Sequence, residues 1–287
     1  MSGICRVGGF DIGGDAPTMI AGPCVIEDGE EAGDGLRFCV GIASRLSEVA
    51  KRNGANFVFK ASYDKANRSS IRSYRGPGLQ RGLEILATVR EEVGCPVTTD
   101  VHLPGDVEAV AAAVDMIQIP AFLCRQTDLL AEAGRSGKPV NIKKGQFMAP
   151  FDMANVVEKV ASSGCSDICL TERGSCFGYN NLVVDMRSIM TMVLQTGRPV
   201  IFDATHSCQL PGGGVESGGD GMFAWALSRA AVATGYCSGV FLETHPDPSR
   251  SLSDGRVVMR LDLVDDFWRG SVAAPWGVTR GTARTRI

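Results

Sequence analysis

The sequence lacks an apolar run of membrane-spanning length, and its ten cysteines include no CxxC pair. A transmembrane helix needs about 20 consecutive apolar residues, so we expect no membrane association. Disulfide frameworks and short zinc motifs both require cysteines at paired spacings, and these cysteines are scattered singly. Since no stretch resembles a signal peptide either, the sequence predicts a protein of the reducing cytoplasm.

An excess of one charge is also missing, because 29 lysines and arginines face 32 aspartates and glutamates. A nucleic-acid surface requires a basic excess, so we expect no nucleic-acid partner, and any basic cluster belongs to a local site. Two common catalytic patterns are absent. The glycines near residue 212 do not form a dinucleotide fingerprint, and no GxSxG elbow supports a serine hydrolase.

The sequence does contain eight short apolar runs, each ending abruptly in charged or polar residues. Helix-length segments with apolar residues at helical spacing, such as 36–53 and 79–93, separate these runs. Regular alternation of strands and helices is typical of parallel βα units, and eight units predict a closed (β/α)₈ TIM barrel. The runs occupy residues 18–24, 56–60, 96–100, 115–120, 139–143, 167–172, 199–203 and 239–243.

The segments outside the runs suggest how the chain is organised. Residues 1–17 contain two tiny strands around a Gly-Gly turn, which predicts a short N-terminal β-hairpin that caps the barrel. No linker interrupts residues 18–275, so we expect a single catalytic barrel there. Residues 276–287 are basic and lack periodicity, which predicts a mobile tail. Two connections, 61–78 and 205–220, are long enough to suggest a function.

Charged residues at the strand ends matter because the active site of such a barrel forms at the C-terminal ends of its strands. Lys60, Lys143 and Arg173 end three different strands, and the loop after Lys60 adds further cations. A single strand-end cation is often the ion-pair partner of a core carboxylate, and a basic loop is usually a solvated surface. Three such cations on separate strands favour a site for phosphorylated anions.

A second group of strand-end residues offers thiolate, imidazole and carboxylate side chains: Cys24, His206 and Glu243, with Asp254 farther along. A mixed sulfur, nitrogen and oxygen set suits Zn²⁺ or Fe²⁺. A barrel would bring the ends of strands one, seven and eight together. The spacing matches no short zinc motif, however. The alternative is that Cys24 is a small buried hydrophobe and that His206 forms a structural hydrogen bond or contacts substrate.

Several long motifs resemble the 3-deoxy-D-manno-octulosonate 8-phosphate synthase family, and the resemblance extends from about Met19 to about Leu261. They are KASYDKANRSS at 60–70, YRGPG at 74–78, TDVH at 99–102, QIPAFLCRQTD at 118–128 and FGYNNLVVD at 177–185. The resemblance implies a transferase that condenses phosphoenolpyruvate with D-arabinose 5-phosphate and water and releases inorganic phosphate. The product is the precursor of the octulosonate sugar of lipopolysaccharide, or of the same sugar in plant cell walls.

The resemblance also implies roles for individual residues. Phosphoenolpyruvate would be held by Lys60, Lys65, Lys143 and Arg173. The arabinose phosphate would be bound by Asn67, Arg68 and Ser69, with Asp100 on its hydroxyls. Gln118 belongs to the expected substrate-binding set, and the expected catalytic residues are Lys60, Asp100 and His206. Proton transfer stays open among Asp100, His102, Glu172 and Glu243.

The family resembled here divides into metal-dependent and metal-independent members, which carry cysteine or asparagine at the end of the first strand. Cys24 therefore implies the metal-dependent class, with Cys24, His206, Glu243 and Asp254 as ligands. Fe²⁺ or Zn²⁺ is the expected metal, and Mn²⁺ or Co²⁺ would substitute. The resemblance further implies a homotetramer in which a neighbouring subunit completes the site, with Phe122 and Arg125 in the segment that crosses over.

Three alternatives remain. A heptulosonate 7-phosphate synthase would use erythrose 4-phosphate in a similar barrel with a similar metal set, although the loop at 66–70 argues against it. A sialic-acid synthase is weaker, because the sequence has no antifreeze-like C-terminal extension. From another class, a non-catalytic barrel would only bind a sugar phosphate. Intact cations and candidate ligands on several strands make this last function the poorest match.

Overall fold

The structure is a computed structural model that describes residues 3–30, 32–177, 180–210 and 218–283, with side chains as far as residue 279. Within these residues, eight parallel strands each pair with the next in sequence, and the last pairs with the first. This closed arrangement confirms the predicted (β/α)₈ barrel. The barrel strands are β1 (Thr18–Gly22), β2 (Asn56–Lys60), β3 (Val97–Asp100), β4 (Met116–Ile119), β5 (Val140–Lys143), β6 (Ile168–Glu172), β7 (Val200–Asp203) and β8 (Cys237–His245).

Helices surround the strands, and nearly every strand residue is buried. One strand face points into the barrel and the other packs against helices, which explains continuous apolar runs instead of alternation. In the first helix, Asp34 caps the N-terminus by accepting from the backbone N–H of Arg37. The described helices are α1 (Gly35–Arg52), α2 (Leu79–Val93), α3 (Val107–Ala113), α4 (Thr127–Arg135), α5 (Met153–Ala161), α6 (Arg187–Thr196), α7 (Phe223–Ala233), α8 (Val264–Trp268) and α9 (Ala274–Ala283).

An antiparallel hairpin of Cys5–Val7 and Phe10–Ile12 lies where the sequence indicated one. Val7 and Ile12 pack into a cluster with interior side chains from six barrel strands, among them Phe241 of β8. The hairpin therefore fills the N-terminal end of the barrel. The charged strand ends lie at the opposite, C-terminal end.

The C-terminal segment differs from the sequence-based expectation of an irregular tail from residue 276. Helix α8 instead continues through a π-helical turn, Arg269–Ala273, into α9, which ends at Ala283. Trp276 is buried, and its Nε1 donates to the backbone oxygen of Asp15 at 3.1 Å. This aromatic anchor explains the helix, while residues 284–287 lie outside the described residues.

Two further features concern the predicted long loops and the membrane. The glycine run at 212–214 in the connection after β7 falls outside the described residues, but Gln209–Leu210 and Gly218–Gly219 pair at its base. Among the described helices, none is both long and apolar enough to span a bilayer.

Candidate active site

Three buried cations end strands at the C-terminal rim, as the sequence predicted: Lys60 on β2, Lys143 on β5 and Arg173 just after β6. Lys60 Nζ lies 2.9 Å from Glu243 Oε1 and also donates to the backbone oxygen of Cys24. Lys143 Nζ lies 2.7 Å from Asp203 Oδ2. Both strand-end lysines therefore have a buried carboxylate partner, and these pairs hold the ammonium groups at the barrel mouth.

Arg173 differs from the two lysines because no carboxylate of the described chain lies within 4 Å of its guanidinium. Its Nη2 donates to Gln209 Oε1 at 2.8 Å, and the residue is only 7% exposed. Burial lowers the pKa of Arg173, because the charged form loses its hydration. Asp203, Asp254, Glu172 and Glu243 attract this charge only from beyond ion-pair distance, so the guanidinium still has room for an anionic ligand in direct contact.

Two adjoining cavities open at this rim. The outer chamber, of about 540 Å³, is lined by residues that include Arg68, Ser69 and Asp254. The inner chamber, of about 180 Å³, is lined by residues that include Lys60 and Asp100. Both chambers share the side chains of Lys65, Asn67, Phe122, Arg173 and His206. Gln118, Lys143 and Glu243 also line the inner chamber, so the cavities collect thirteen of the fifteen predicted site residues, all except Cys24 and Arg125.

The loop after β2 reaches across to the loop after β8 through Arg68. Its guanidinium donates to the backbone oxygens of Tyr74 and Leu252 and, at 2.8 Å, to Ser253 Oγ. A guanidinium has five N–H donors, so three fixed bonds orient the group and leave two for a ligand. Lys65 Nζ lies in the same region and donates to the backbone oxygen of Cys24 at 3.2 Å.

Asp100 ends β3 as a buried carboxylate within a polar chain that crosses four strands. It accepts from Ser62 Oγ and Gln118 Nε2. Gln118 Oε1 accepts in turn from Asn141, and Asn141 Oδ1 accepts from Thr171 Oγ1 at 2.7 Å. Sequence reasoning missed Ser62, Asn141 and Thr171, because single neutral polar residues, inside a strand or in the loop after it, carry no pattern of their own.

The charge state of Asp100 is set by its polar neighbours. Burial raises the pKa of this carboxyl, but Lys60, Lys65, His102 and the hydrogen bond from Ser62 together hold the pKa below its usual range. Asp100 is therefore a carboxylate that can accept hydrogen bonds from a ligand in the inner chamber.

Three predicted metal ligands meet at the rim. One ligand atom from each of Cys24, Glu243 and Asp254 lies within 4.8 Å of the others. Cys24 Sγ is 3.2 Å from Asp254 Oδ2 and 2.8 Å from Ser253 Oγ. Burial raises the pKa of the Cys24 thiol well above its usual value, although Lys65 and Lys60 act in the opposite direction.

His206, the fourth predicted ligand, lies beside this group. Its Nε2 is 3.7 Å from Glu243 Oε2, and its Nδ1 is 2.8 Å from Asp203 Oδ2. Asp203 fixes Nδ1 as the protonated nitrogen, which directs the Nε2 lone pair toward Glu243. Glu243 Oε2 is buried and has no hydrogen-bond partner among the described residues. An orphaned carboxylate oxygen beside a thiol and an imidazole lone pair fits a divalent metal.

The structure separates the candidate proton carriers. His102 lines the inner chamber, and its Nδ1 lies 3.2 Å from the Tyr63 hydroxyl. Glu172 lines neither chamber, and its carboxylate accepts from Gly174 N and Ser188 Oγ. Glu172 is thus bonded within the β6 loop and lies away from both chambers, and its role as a proton carrier stays a prediction.

Phe122 and Arg125, predicted to serve a neighbouring subunit, differ in position. Phe122 is half exposed and lines both chambers of its own chain. Arg125 is exposed and lines neither chamber. Its role depends on a second subunit and stays a prediction.

Comparison with known proteins gives consistent matches over most of the chain. Residues 6–271 match the family model described as the DAHP synthetase I family. Three similar relatives are named 2-dehydro-3-deoxyphosphooctonate aldolase. They come from Syntrophotalea carbinolica (58% identical over 90% of this chain and 91% of the relative), Citrifermentans bemidjiense (55% over 89% and 91%) and Xanthomonas oryzae pv. oryzae (53% over 90% and 91%).

Proposed function

The chain belongs to the DAHP synthetase I family and, within it, to the 2-dehydro-3-deoxyphosphooctonate aldolases, and on this premise we propose the reaction that its site performs. The enzyme is a transferase. It condenses phosphoenolpyruvate with D-arabinose 5-phosphate and water, and it forms 3-deoxy-D-manno-octulosonate 8-phosphate and inorganic phosphate. The product supplies the octulosonate sugar of lipopolysaccharide.

The observation that carries this function is Arg173, a buried guanidinium without a carboxylate partner in the described chain, between two chambers. A phosphate or carboxylate of phosphoenolpyruvate supplies the missing counter-charge. Lys60, Lys65 and Lys143 line the same space and hold the rest of this anion. Asn67, Arg68 and Ser69 line the outer chamber and bind the phosphate of the aldose. Asp100 accepts hydrogen bonds from the aldose hydroxyls.

The chemistry requires two anions to meet. Carbon 3 of phosphoenolpyruvate attacks the aldehyde carbon, water adds to carbon 2, and phosphate leaves when its C–O bond breaks. The fixed cations of the rim lower the repulsion between the substrates and stabilise the alkoxide that forms. Positioning of the reactants alone can supply about 7–11 kcal/mol of barrier reduction. His206, held by Asp203, lies at the junction of the chambers, beside the space that the reacting groups occupy.

A divalent metal fits Cys24, His206, Glu243 and Asp254, since the orphaned Glu243 Oε2 lacks a partner among the described residues. When bound, the ion supplies Lewis-acid polarisation of an oxygen. A thiolate ligand favours Fe²⁺ or Zn²⁺, and Mn²⁺ or Co²⁺ substitutes. A chelator should abolish activity, and each of these ions should restore it to a different degree. Full activity in protein shown to be metal-free by elemental analysis would remove the metal from the mechanism.

Two further properties belong to this proposal. The enzyme assembles as a homotetramer, with Phe122 and Arg125 in the segment that reaches a neighbouring site, and the mass in solution tests this. The protein works in the cytoplasm. Ten free cysteines, nine of them buried, agree with a reducing compartment.

The decisive experiment assays phosphate release with two aldoses side by side. Purified protein should release phosphate from phosphoenolpyruvate when arabinose 5-phosphate is present and should turn over erythrose 4-phosphate poorly. Comparable or faster turnover of erythrose 4-phosphate would instead identify a heptulosonate synthase, which the family description also covers. Binding of both substrates without phosphate release would identify a non-catalytic barrel.

A further inference from the structure

Asp254 reaches the site from the loop after β8, residues 246–256, which we call the β8 loop. Asp254 has a φ of +54°, in the left-handed region that non-glycine residues rarely occupy. Such a conformation persists only when the surrounding structure holds it in place. The side chains that hold the β8 loop therefore also determine where the Asp254 carboxylate points.

Two charged side chains hold the backbone of Leu252, two residues before Asp254. Its N–H donates to Glu27 Oε1 at 3.0 Å, and its carbonyl oxygen accepts from Arg68 Nη2 at 3.1 Å. Glu27 follows β1 and Arg68 follows β2, so the β8 loop is tied to both neighbouring loops. Hydrogen bonds to ionised groups are stronger than neutral ones, which makes this a firm attachment.

The second oxygen of Glu27 is also engaged, because Oε2 lies 3.4 Å from His245 Nε2. His245 Nδ1 accepts from the backbone N–H of Asp247, so the ring proton is on Nε2 and points at Glu27. Glu27 thus faces two donors with two acceptor oxygens. It is buried and lines neither chamber, so it does not touch a bound substrate.

We propose that Glu27 is a positioning residue for the metal site, because it holds the β8 loop so that Asp254 meets Cys24 and Glu243. The inference rests on the metal assignment made above and adds a residue that ligates nothing itself. A glutamine at this position would turn an N–H₂ group toward one of the two donors. One attachment of the loop would then be lost, and the Asp254 carboxylate would no longer be held beside the thiol.

The test measures metal affinity and needs no turnover. Co²⁺ and Zn²⁺ are titrated, in competition with a chromogenic chelator, into wild-type protein and into the variants Glu27→Gln and Glu30→Gln. Glu30→Gln is the matched control, because Glu30 is an exposed residue of the loop after β1, to which Glu27 also belongs. Loss of a residue that orients a metal ligand typically costs about 10–100-fold in affinity, and we expect a loss in this range for Glu27→Gln alone. The cobalt–thiolate absorption band of Glu27→Gln should also weaken. A variant that is merely less stable but still folded would keep this band.

The outcomes are distinct. Equal affinity in wild-type protein and Glu27→Gln overturns the inference and leaves the metal site intact. Failure of the wild-type protein to bind either ion removes the metal site and the inference with it. If Glu27→Gln does not fold, Glu27→Asp replaces it, because aspartate keeps the charge on a side chain that is shorter. A metal affinity of Glu27→Asp equal to that of wild type would then overturn the inference.

Discussion

At the scale of single residues, two buried cations of the site, Lys143 and Arg173, differ in the partners that they have. Lys143 is paired with Asp203, whereas Arg173 has only the neutral Gln209 among its described side-chain partners. Removal of one member of a buried ion pair leaves an uncompensated charge, but removal of an unpaired buried charge does not. The two positions are therefore expected to respond differently to the same kind of substitution.

Arg173→Met should lower kcat/KM for phosphoenolpyruvate at least about tenfold, because bonds to charged groups contribute about 1.5–3 kcal/mol each. Its free energy of unfolding should stay equal or rise. Lys143→Met should lower both quantities, since Asp203 loses its partner and breaking a buried pair costs about 3–5 kcal/mol. Steady-state kinetics and urea unfolding of both variants check this. A destabilised but fully active Arg173→Met would contradict the anion site.

Asp100 should make stability depend on acid pH. Its folded-state pKa lies below the unfolded value of about 3.9, so its carboxylate stabilises the fold above that pH, and this contribution is lost as the pH falls. In Asp100→Asn the group is absent, so the fall in unfolding free energy from about pH 5 downward should be shallower than in wild type. Urea unfolding of wild type and Asp100→Asn across this pH range gives, for each protein, the slope of the unfolding free energy against pH. Equal slopes would contradict the lowered pKa of Asp100.

The sequence predicts those site residues that end strands, because a barrel brings all strand ends to one rim. Asp203 also ends an apolar run, a signal that could have found it. Gln209, Ser253 and Glu27 were missed, since their contacts depend on which loops meet above the barrel, and loop geometry leaves no periodic pattern.

At the scale of elements, strands were easier to predict than the C-terminal helix. Strand β8 was predicted at 239–243 and spans Cys237–His245, where its last two residues pair with Met259–Arg260. Helix α9 was missed because its sequence contains Pro275 and Gly277, which disfavour a helix interior. Pro275 closely follows the π-helical turn, and burial of Trp276 supplies tertiary stabilisation that local propensity does not record.

Trp276→Ala should therefore destabilise the protein by about 3–5 kcal/mol, the usual cost of deleting a buried aromatic side chain. Val278→Ala in the same helix is the matched control, because Val278 is 70% exposed. Its effect should stay within about 0.5 kcal/mol. Denaturant unfolding of both variants measures the difference, and equal small effects would mean that α9 contributes little to the fold.

At the scale of the whole molecule, one aromatic ring connects the two ends of the barrel. Phe241 belongs to the interior cluster that includes Val7 and Ile12 of the hairpin, and Lys143 Nζ lies 3.5 Å from the centre of the same ring. A cation over an aromatic face is stabilised by the ring quadrupole. A single layer of side chains, which includes Phe241, thus separates the hairpin from the anion site.

This shared layer has a consequence for heat inactivation. Local opening of the hairpin costs less free energy than global unfolding, because it exposes only the side chains that the hairpin itself covers. Opening would let water reach the underside of Phe241 and loosen the ammonium group above it. On slow warming, turnover should therefore decline several degrees before the helical circular-dichroism signal does, and added anionic substrate should narrow that interval.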